Sequence, residues 1–180
     1  VSVNAFLQTS DPDIYAVGDC CSFPHPLYEQ RRLRLEMWRC ARDQAECAVQ
    51  NLLGETKEFG AVPWFWSDQF ELSLQVVGLP SFAKRVIPRT RPDGVTIYFG
   101  LNDQKRLVSA AGIGVGNSVA KDIRLAEMLI AAQKTMNPAE LSDPNLNLKK
   151  LLKNWSANST HALDSVNDSG RFPLTWGEAP

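Results

Sequence analysis

Residues 9–19, Thr-Ser-Asp-Pro-Asp-Ile-Tyr-Ala-Val-Gly-Asp, end in a glycine and a carboxylate that are suited to binding hydroxyl groups. The apolar run 14–17 predicts a short buried strand that stops at Gly18. Because Gly18 has no side chain, a large ligand can approach the backbone there, and the Asp19 carboxylate can accept hydrogen bonds from hydroxyls. A sugar or a ribityl chain fits this chemistry. The alternative is an ordinary turn in which Asp19 only caps the backbone.

The aromatic segment Trp64-Phe65-Trp66, between Pro63 and Ser67-Asp68-Gln69, is the second candidate. Successive side chains of an extended segment point to opposite faces, so Trp64 and Trp66 would share one face and Phe65 would lie on the other. Aromatic side chains dominate buried area wherever they occur. The three rings are therefore either core residues or, in part, the wall of a binding site.

Five arginines lie close together in the sequence: Arg31, Arg32, Arg34, Arg39 and Arg42. A positive patch steers an acidic protein partner and raises its association rate. The alternative is a solvated helix face on which neighbouring acids neutralise the arginines, namely Glu29, Glu36, Asp43 and Glu46.

The elements that would position these residues follow from apolar periodicity and turn signals. Helices are expected at 32–53, 118–133 and 147–155, and strands at 71–77, 95–101 and 106–111. The first helix would be closed by Gly54 and would bury one stripe: Leu33, Met37, Ala41, Ala45, Ala48 and Leu52. The predicted fold class is α+β, a three-stranded antiparallel sheet with covering helices, preceded by a strand and a helix of another domain.

The stretch 112–117, Gly-Ile-Gly-Val-Gly-Asn, follows a predicted strand and precedes a predicted helix. A phosphate-binding loop has this context, but its third glycine comes one residue later, and an acidic residue follows after a further strand. A tight strand-to-helix connection is the preferred interpretation.

Three motifs in this order resemble the NADH-dependent ferredoxin reductases of bacterial oxygenase and cytochrome P450 systems, in the pyridine nucleotide-disulfide oxidoreductase superfamily. Residues 9–19 resemble a flavin-binding signature of such flavoproteins. Arg34-Leu35-Glu36-Met37-Trp38, with Ala41, Gln44 and Ala48 behind it, resembles a second motif, and residues 62–70 resemble a third, Pro-Trp-Phe-Trp-Ser-Asp-Gln. The resemblance is nearly continuous over 3–152. Cys40 and Gly112-Ile113 depart from it, where the family commonly has Asn and Val-Asn.

The resemblance implies FAD as cofactor, NADH as substrate and a ferredoxin-type iron–sulfur protein as partner. It implies that Asp19 contacts the ribityl chain, that the Trp38 backbone lies near the pyrimidine edge of the isoalloxazine, and that Trp66 lies at the ring. Arg31, Arg32 and Trp66 would face the ferredoxin.

No Gly-x-Gly-x-x-Gly fingerprint precedes residue 9, so the FAD pyrophosphate and NADH sites are missing and the chain is expected to be a C-terminal fragment. Residues 1–60 would end an FAD-binding domain, 61–152 would form the reductase C-terminal domain, and 153–180 a polar, partly disordered tail. The missing N-terminal FAD and NAD domains would be its partners, and the fragment alone is expected to be inactive and largely without flavin. The alternative is an interaction or dimerisation module without catalytic activity.

Composition agrees with a compact protein: 180 residues, 44% hydrophobic, with a net charge of −1. It predicts no nucleic-acid partner, no membrane span and a cytoplasmic location. The four cysteines form no Cys-x-x-Cys pair, so no redox dithiol and no zinc site is expected. Both His25 and His161 are expected at the surface rather than as an acid–base pair.

Overall fold

The computed structural model describes residues 1–153, and it begins with a loop region that leads into a small hairpin. A 3-10 turn at Gly18–Cys20 precedes strands β1 (Phe23–His25) and β2 (Arg31–Leu33), which pair antiparallel. The predicted strand at 14–17 is wrong, because only a single Gln8–Tyr15 bridge forms and Ile14 is exposed. The side chains of Thr9 and Asp11 accept hydrogen bonds from nearby backbone N–H groups and turn the chain instead.

Helix α1 (Trp38–Leu52) is shorter than the predicted 32–53, because Arg31–Leu33 pair with β1. Its end is confirmed: Gly54 has a positive φ of 96°. Of the predicted stripe only Ala48 is buried, and the buried face of α1 consists of Cys40, Gln44, Cys47, Ala48 and Asn51. Polar Asn51 is buried because its amide bonds the backbone of Phe6 and Lys57.

The second part is an antiparallel sheet of five strands in the order β3-β4-β7-β6-β5. The strands are β3 (Trp64–Gln69), β4 (Leu72–Gly78), β5 (Arg85–Thr90), β6 (Thr96–Leu101) and β7 (Leu107–Val115). The α+β class is confirmed, and the count of three strands is wrong because both edge strands were missed. β5 contains Pro88, which an edge strand tolerates since one of its sides has no ladder partner.

The glycine stretch belongs mostly to β7, which ends at Val115, so the interpretation as a tight connection is right only for Gly116 and Asn117. A Cβ at Gly112 would lie 2.5 Å from Ile97 Cδ1, and one at Gly114 would lie 2.2 Å from Ser118 Oγ. These glycines therefore allow close packing within a strand. Gly116, with a φ of 50°, makes the turn toward helix α2 (Ala120–Ala131), which is shorter at both ends than the predicted 118–133.

One face of the sheet packs against α2 to form the larger hydrophobic core. Trp64, Val77, Ala110, Phe99 and Ile87 follow one another across the five strands on this face. Two short helices, α3 (Pro138–Ser142) and α4 (Leu148–Lys153), complete this core. The predicted helix 147–155 is thus present as far as the structure describes the chain.

A smaller core joins the N-terminal region to the end of the sheet. The Tyr28 hydroxyl donates a hydrogen bond of 3.1 Å to the Val108 carbonyl in β7. No helix within residues 1–153 is both long and apolar enough to cross a membrane.

The predicted surface position of His25 is wrong, because its ring is fully buried in the smaller core. Its Nδ1 accepts a hydrogen bond from the Leu27 N–H, and its Nε2 lies 3.1 Å from the Ala61 carbonyl. Burial lowers the pKa of His25 to about 4, so the ring is neutral at physiological pH. His161 lies outside the described residues.

All four cysteines are free, and three of them are buried: Cys21, Cys40 and Cys47. Burial raises the pKa of Cys21 to about 11 and that of Cys40 to about 12. These thiols are therefore protonated at neutral pH and behave as small apolar side chains.

Candidate functional site

The turn at Gly18–Cys20 packs against α1 and presents Asp19 at the surface. Gly18 has a φ of 73°, and its N–H donates to Gln44 Oε1 of α1 at 2.7 Å. Gln44 is almost completely buried, so this bond fixes the turn on the helix. The glycine is required here by its positive φ rather than by crowding, because a Cβ would meet only Ala41 Cβ, at an ordinary 3.5 Å.

The Asp19 side chain is exposed, and within residues 1–153 no hydrogen bond engages its carboxylate. Its backbone carbonyl accepts a weak bond of 3.4 Å from Arg34 Nη1. Arg34 itself pairs with Glu36 at 2.7 Å. The carboxylate of Asp19 is therefore available to a ligand that offers hydroxyl groups.

The N-terminus of α1 lies open beside this turn. The first helical hydrogen bond runs from the Ala41 N–H to the Met37 carbonyl at 3.0 Å, so the N–H groups of the first turn have no helical partner. Met37 contributes no side-chain cap, and no acidic residue occupies the first turn. The aligned peptide dipoles give this end a partial positive charge, which favours an electron-rich ligand group.

Three indoles form an aromatic cluster, defined here as Trp38, Trp64 and Trp66, where α1 meets β3. The Trp64 and Trp66 rings stack with centroids 5.0 Å apart and planes 29° apart. Trp38 is 67% exposed and Trp66 is 37% exposed, whereas Trp64 is partly buried against the larger core. As the alternation of side chains predicts, Phe65 lies on the opposite face of β3 from Trp64 and Trp66.

Two arginines of α1 cover rings of the aromatic cluster. The Arg39 guanidinium lies 5.5 Å from the centroid of Trp64, and that of Arg42 lies 5.5 Å from the centroid of Trp38. Both are also paired with acids, Arg42 with Asp43 at 2.8 Å and Arg39 with Glu127 at 2.7 Å. Cations over indole faces add attraction to these contacts.

The predicted docking arginines lie on β2 rather than on a helix face. Arg31 packs over Phe82, with its guanidinium carbon 5.6 Å from the ring centroid. Arg32 Nη2 donates to the Val3 carbonyl at 2.9 Å and to the Ser22 carbonyl, so it ties down the N-terminal segment. Within residues 1–153 neither forms an ion pair, whereas Arg34, Arg39 and Arg42 all do. The structure brings Asp19, α1 and Trp66 into one region but leaves this arginine pair outside the aromatic cluster.

Sequence reasoning missed the role of Glu127, a residue that contributes to this region. It lies on α2 and is only 8% exposed, and its carboxylate accepts from Arg39 at 2.7 Å and from Arg124 at 2.6 Å. The sequence contains a signal for this role in its helical periodicity. Glu127 follows Ile123 by four residues, on the helix face that Ala126 and Ile130 also share. An acid at such a position indicates a buried ion pair.

The family model described as reductase C-terminal matches residues 64–152, which contain the sheet and its helices. The chain is 36% identical over 153 residues to the ferredoxin–NAD(+) reductase component of the anthranilate 1,2-dioxygenase system from Burkholderia cepacia, covering 84% of this chain and 36% of that protein. It is 34% identical over 155 residues to putidaredoxin reductase from Pseudomonas putida, covering 84% of this chain and 35% of that protein.

Solved structures of ferredoxin reductases are also similar to this chain. The covalent putidaredoxin reductase–putidaredoxin complex matches 87% of this chain and 36% of that chain, with a TM-score of 0.76 and 30% identity. The ferredoxin reductase for the CYP199A2 system from Rhodopseudomonas palustris matches 84% and 36%, with a TM-score of 0.75 and 31% identity. The chain spans about a third of the length of these relatives.

Proposed function

We propose that this chain, whose residues 64–152 belong to the reductase C-terminal family, is the C-terminal part of a flavoprotein that passes electrons from NADH through FAD to a ferredoxin-type iron–sulfur protein. The observation that carries the proposal is the meeting of Asp19, the open N-terminus of α1 and the aromatic cluster in one region. The relatives reported above are named as ferredoxin reductases, which supports the same class of reaction.

The donor set of this region fits the parts of FAD that a C-terminal segment would contact. We assign the Asp19 carboxylate to a ribityl hydroxyl, the first-turn N–H groups at Trp38 to the pyrimidine edge of the isoalloxazine, and Trp66 to the side of the ring. When bound, FAD accepts a hydride from NADH and releases electrons singly to an iron–sulfur centre.

The residues of this chain would orient the flavin and shape its electrostatics. Asp19 would fix the ribityl chain by accepting a charge-assisted hydrogen bond. The N-terminus of α1 would favour negative charge at the pyrimidine edge, because its unpaired N–H groups carry partial positive charge. Trp38 and Trp66 would exclude water from that edge.

For the ferredoxin we propose a docking surface that includes Trp66, Arg31 and Arg32. Arg31 and Arg32 keep their positive charge free of an acidic partner within residues 1–153, which supports a role in steering an acidic protein. A related solved structure holds putidaredoxin reductase joined to putidaredoxin. The missing FAD and NAD domains, preceding an FAD-domain end at 1–60, complete the proposed enzyme, which we place in the cytoplasm.

The test is made on the complete protein that the gene encodes. We expect two Gly-x-Gly-x-x-Gly fingerprints upstream of residue 9, a yellow protein with a flavin spectrum, and NADH-dependent reduction of ferredoxin. A colourless protein that neither oxidises NADH nor binds added FAD would contradict the proposal and favour an interaction module.

A further inference from the structure

Glu127 is a buried acid on a helix face that is otherwise apolar. Burying a carboxylate is unfavourable unless opposite charges and hydrogen bonds compensate for the lost hydration. Here the compensation comes from two arginines on different helices, Arg39 of α1 and Arg124 of α2. Arg124 lies three residues earlier on the same helix, so within residues 1–153 only Arg39 joins Glu127 to another element by an ion pair.

Arg39 is the second residue of α1, and its side chain is held from three directions. It bonds Glu127, its Nε lies 3.6 Å from Asp43 Oδ2, and its guanidinium covers the Trp64 ring. A cation in the first turn of a helix is opposed by the helix dipole. Because Arg39 is nonetheless held there at 26% side-chain exposure, the two carboxylates must fix its position.

The contacts that begin at Glu127 and Arg39 extend into the aromatic cluster through its rings. Trp64 under Arg39 stacks on Trp66, and Trp66 meets Trp38 edge to face. We propose that Glu127 is a positioning residue for the aromatic cluster: through Arg39 it fixes the stacked Trp64–Trp66 pair against the start of α1. The consequence for electron delivery rests on the proposed function, since only there does the cluster border the flavin and the ferredoxin.

A bridge that only stabilised the fold would leave the arrangement of the indoles unchanged. Near-ultraviolet circular dichroism separates the two roles, because indoles 5–6 Å apart give a strong signal that depends on their mutual orientation. In Glu127→Gln the neutral amide offers a single acceptor oxygen to two arginines, so the bond to Arg39 weakens, and we expect a reduced signal from the cluster and a fall in Tm of about 3–12 °C. In a Trp66→Phe background the loss of signal should disappear, since the stacked pair is already broken.

Two controls accompany this variant. Glu140→Gln removes an exposed acid that forms no ion pair within residues 1–153, and we expect it to match the wild type. Arg124→Gln leaves the Arg39–Glu127 bond in place, and we expect it to keep the signal. If Glu127→Gln does not fold, Arg39→Met interrupts the same contacts at the next residue while Glu127 keeps Arg124 as a partner, and an unchanged spectrum there also overturns the proposal.

The complete reductase provides a separate readout. In Glu127→Gln we expect the KM for ferredoxin to rise about three- to tenfold, the range of one lost hydrogen bond, with a smaller change in the kcat for a small artificial acceptor. The positioning role is overturned if the near-ultraviolet spectrum of Glu127→Gln, or of Arg39→Met, equals that of Glu140→Gln. A changed spectrum with an unchanged ferredoxin KM would support the positioning role and refute the docking role of Trp66 instead.

Discussion

The indole of Trp38 meets the indole of Trp66 edge to face, with ring centroids 6.1 Å apart and planes at 90°. This contact joins the first residue of α1 to the third residue of β3. Two motifs that are separate in the sequence thereby form one surface. The flavin-side and ferredoxin-side roles proposed for these residues can therefore be tested by substitutions within a single region.

The chain as it stands should bind FAD weakly or not at all. The region around Asp19 and Trp66 offers contacts to one end of the flavin, whereas the pyrophosphate needs a glycine-rich turn that these 180 residues do not supply. Titration with FAD, followed by flavin fluorescence and absorbance, should show no stoichiometric complex, and NADH should not be oxidised. A tight yellow complex would contradict the proposal that further domains hold most of the contacts to FAD.

In the proposed complete enzyme, Asp19→Ala should weaken FAD retention by roughly ten- to a hundredfold, the effect of losing a charge-assisted hydrogen bond of about 1.5–3 kcal/mol. Since the Asp19 carboxylate makes no bond within residues 1–153, Tm of the apoprotein should not change. Flavin content after dialysis measures the effect. Asp13→Ala, an exposed acid of the same loop, is the matched control, and equal retention in both variants would remove Asp19 from the site.

The sequence predicted the fold where local signals and packing agree. The end of α1 at Gly54, the helix α2 and the three inner strands follow from periodicity and turn residues. The edge strands were missed because β5 carries a proline, and because the residues of β3 were interpreted as a motif rather than as a strand. The start of α1 was misplaced because the pairing of β2 with β1 is a tertiary contact that propensity does not encode.

Of the candidate site, the sequence predicted only the motif residues Asp19, Trp38 and Trp66. The structure places the Gly18–Cys20 turn against α1 and Trp38 against Trp66, and the roles of these residues toward a flavin stay predictions. The sequence did not show whether the arginines form a free positive patch or are neutralised. The charge of an arginine does not reveal whether a carboxylate from another element pairs with it. For Arg39, the neutralising carboxylate is that of Glu127, which is far away in sequence.

His25 should make the stability of the chain fall as the pH falls from about 6.5 to about 4. Burial lowers the pKa of His25 to about 4. Between pH 6.5 and pH 4 the unfolded chain therefore binds a proton that the folded chain does not bind. The full contribution is present above pH 6.5, and about 3 kcal/mol is lost by pH 4. Urea unfolding between pH 7 and pH 4 measures the slope.

Carboxylates titrate near the same range, so the His25 contribution is obtained as a difference between variants. His25→Gln should be less stable at pH 7, because its amide cannot reproduce both hydrogen bonds of the ring, but its stability should fall less steeply with acid. His161→Gln removes the only other histidine and should keep the wild-type slope. An unchanged slope in His25→Gln would show that the ring is not kept neutral by burial.

Gly78→Ala should disrupt the pairing of β4 with β7. A Cβ there would lie 2.1 Å from the Val108 carbonyl oxygen, and the residue has a φ of 71°. Backbone strain and steric overlap together should cost about 2–5 kcal/mol, measured by urea unfolding. Gly94→Ala has a similar φ of 83° but open space around it, so it should cost only the strain, about 1–2 kcal/mol. Equal losses would mean that the strand pairing adapts to a side chain.

Electron delivery to ferredoxin should depend on Trp66 and Arg31. Trp66→Ala and Arg31→Glu should slow ferredoxin reduction in the complete enzyme while leaving the NADH-driven reduction of a small artificial acceptor nearly intact. Arg31→Glu should also flatten the salt dependence of the ferredoxin rate, because the steering interaction it removes is the one that salt screens. Steady-state rates with both acceptors at low and high ionic strength measure these effects.

The choice of Arg31 over Arg32 follows from their contacts. Arg32→Glu would break two hydrogen bonds to backbone carbonyls, so its effect would combine lost docking with a loosened N-terminal segment. In the part of the chain that the structure describes, the Arg31 side chain forms no hydrogen bond or ion pair and packs over the Phe82 ring. Arg85→Glu, on the exposed edge of the sheet, provides the same charge change at another site. If Arg31→Glu and Arg85→Glu slow ferredoxin equally, the effect is one of net charge. If either Arg31→Glu or Trp66→Ala slows both acceptors equally, that residue supports flavin reduction or the fold, and its docking role is refuted.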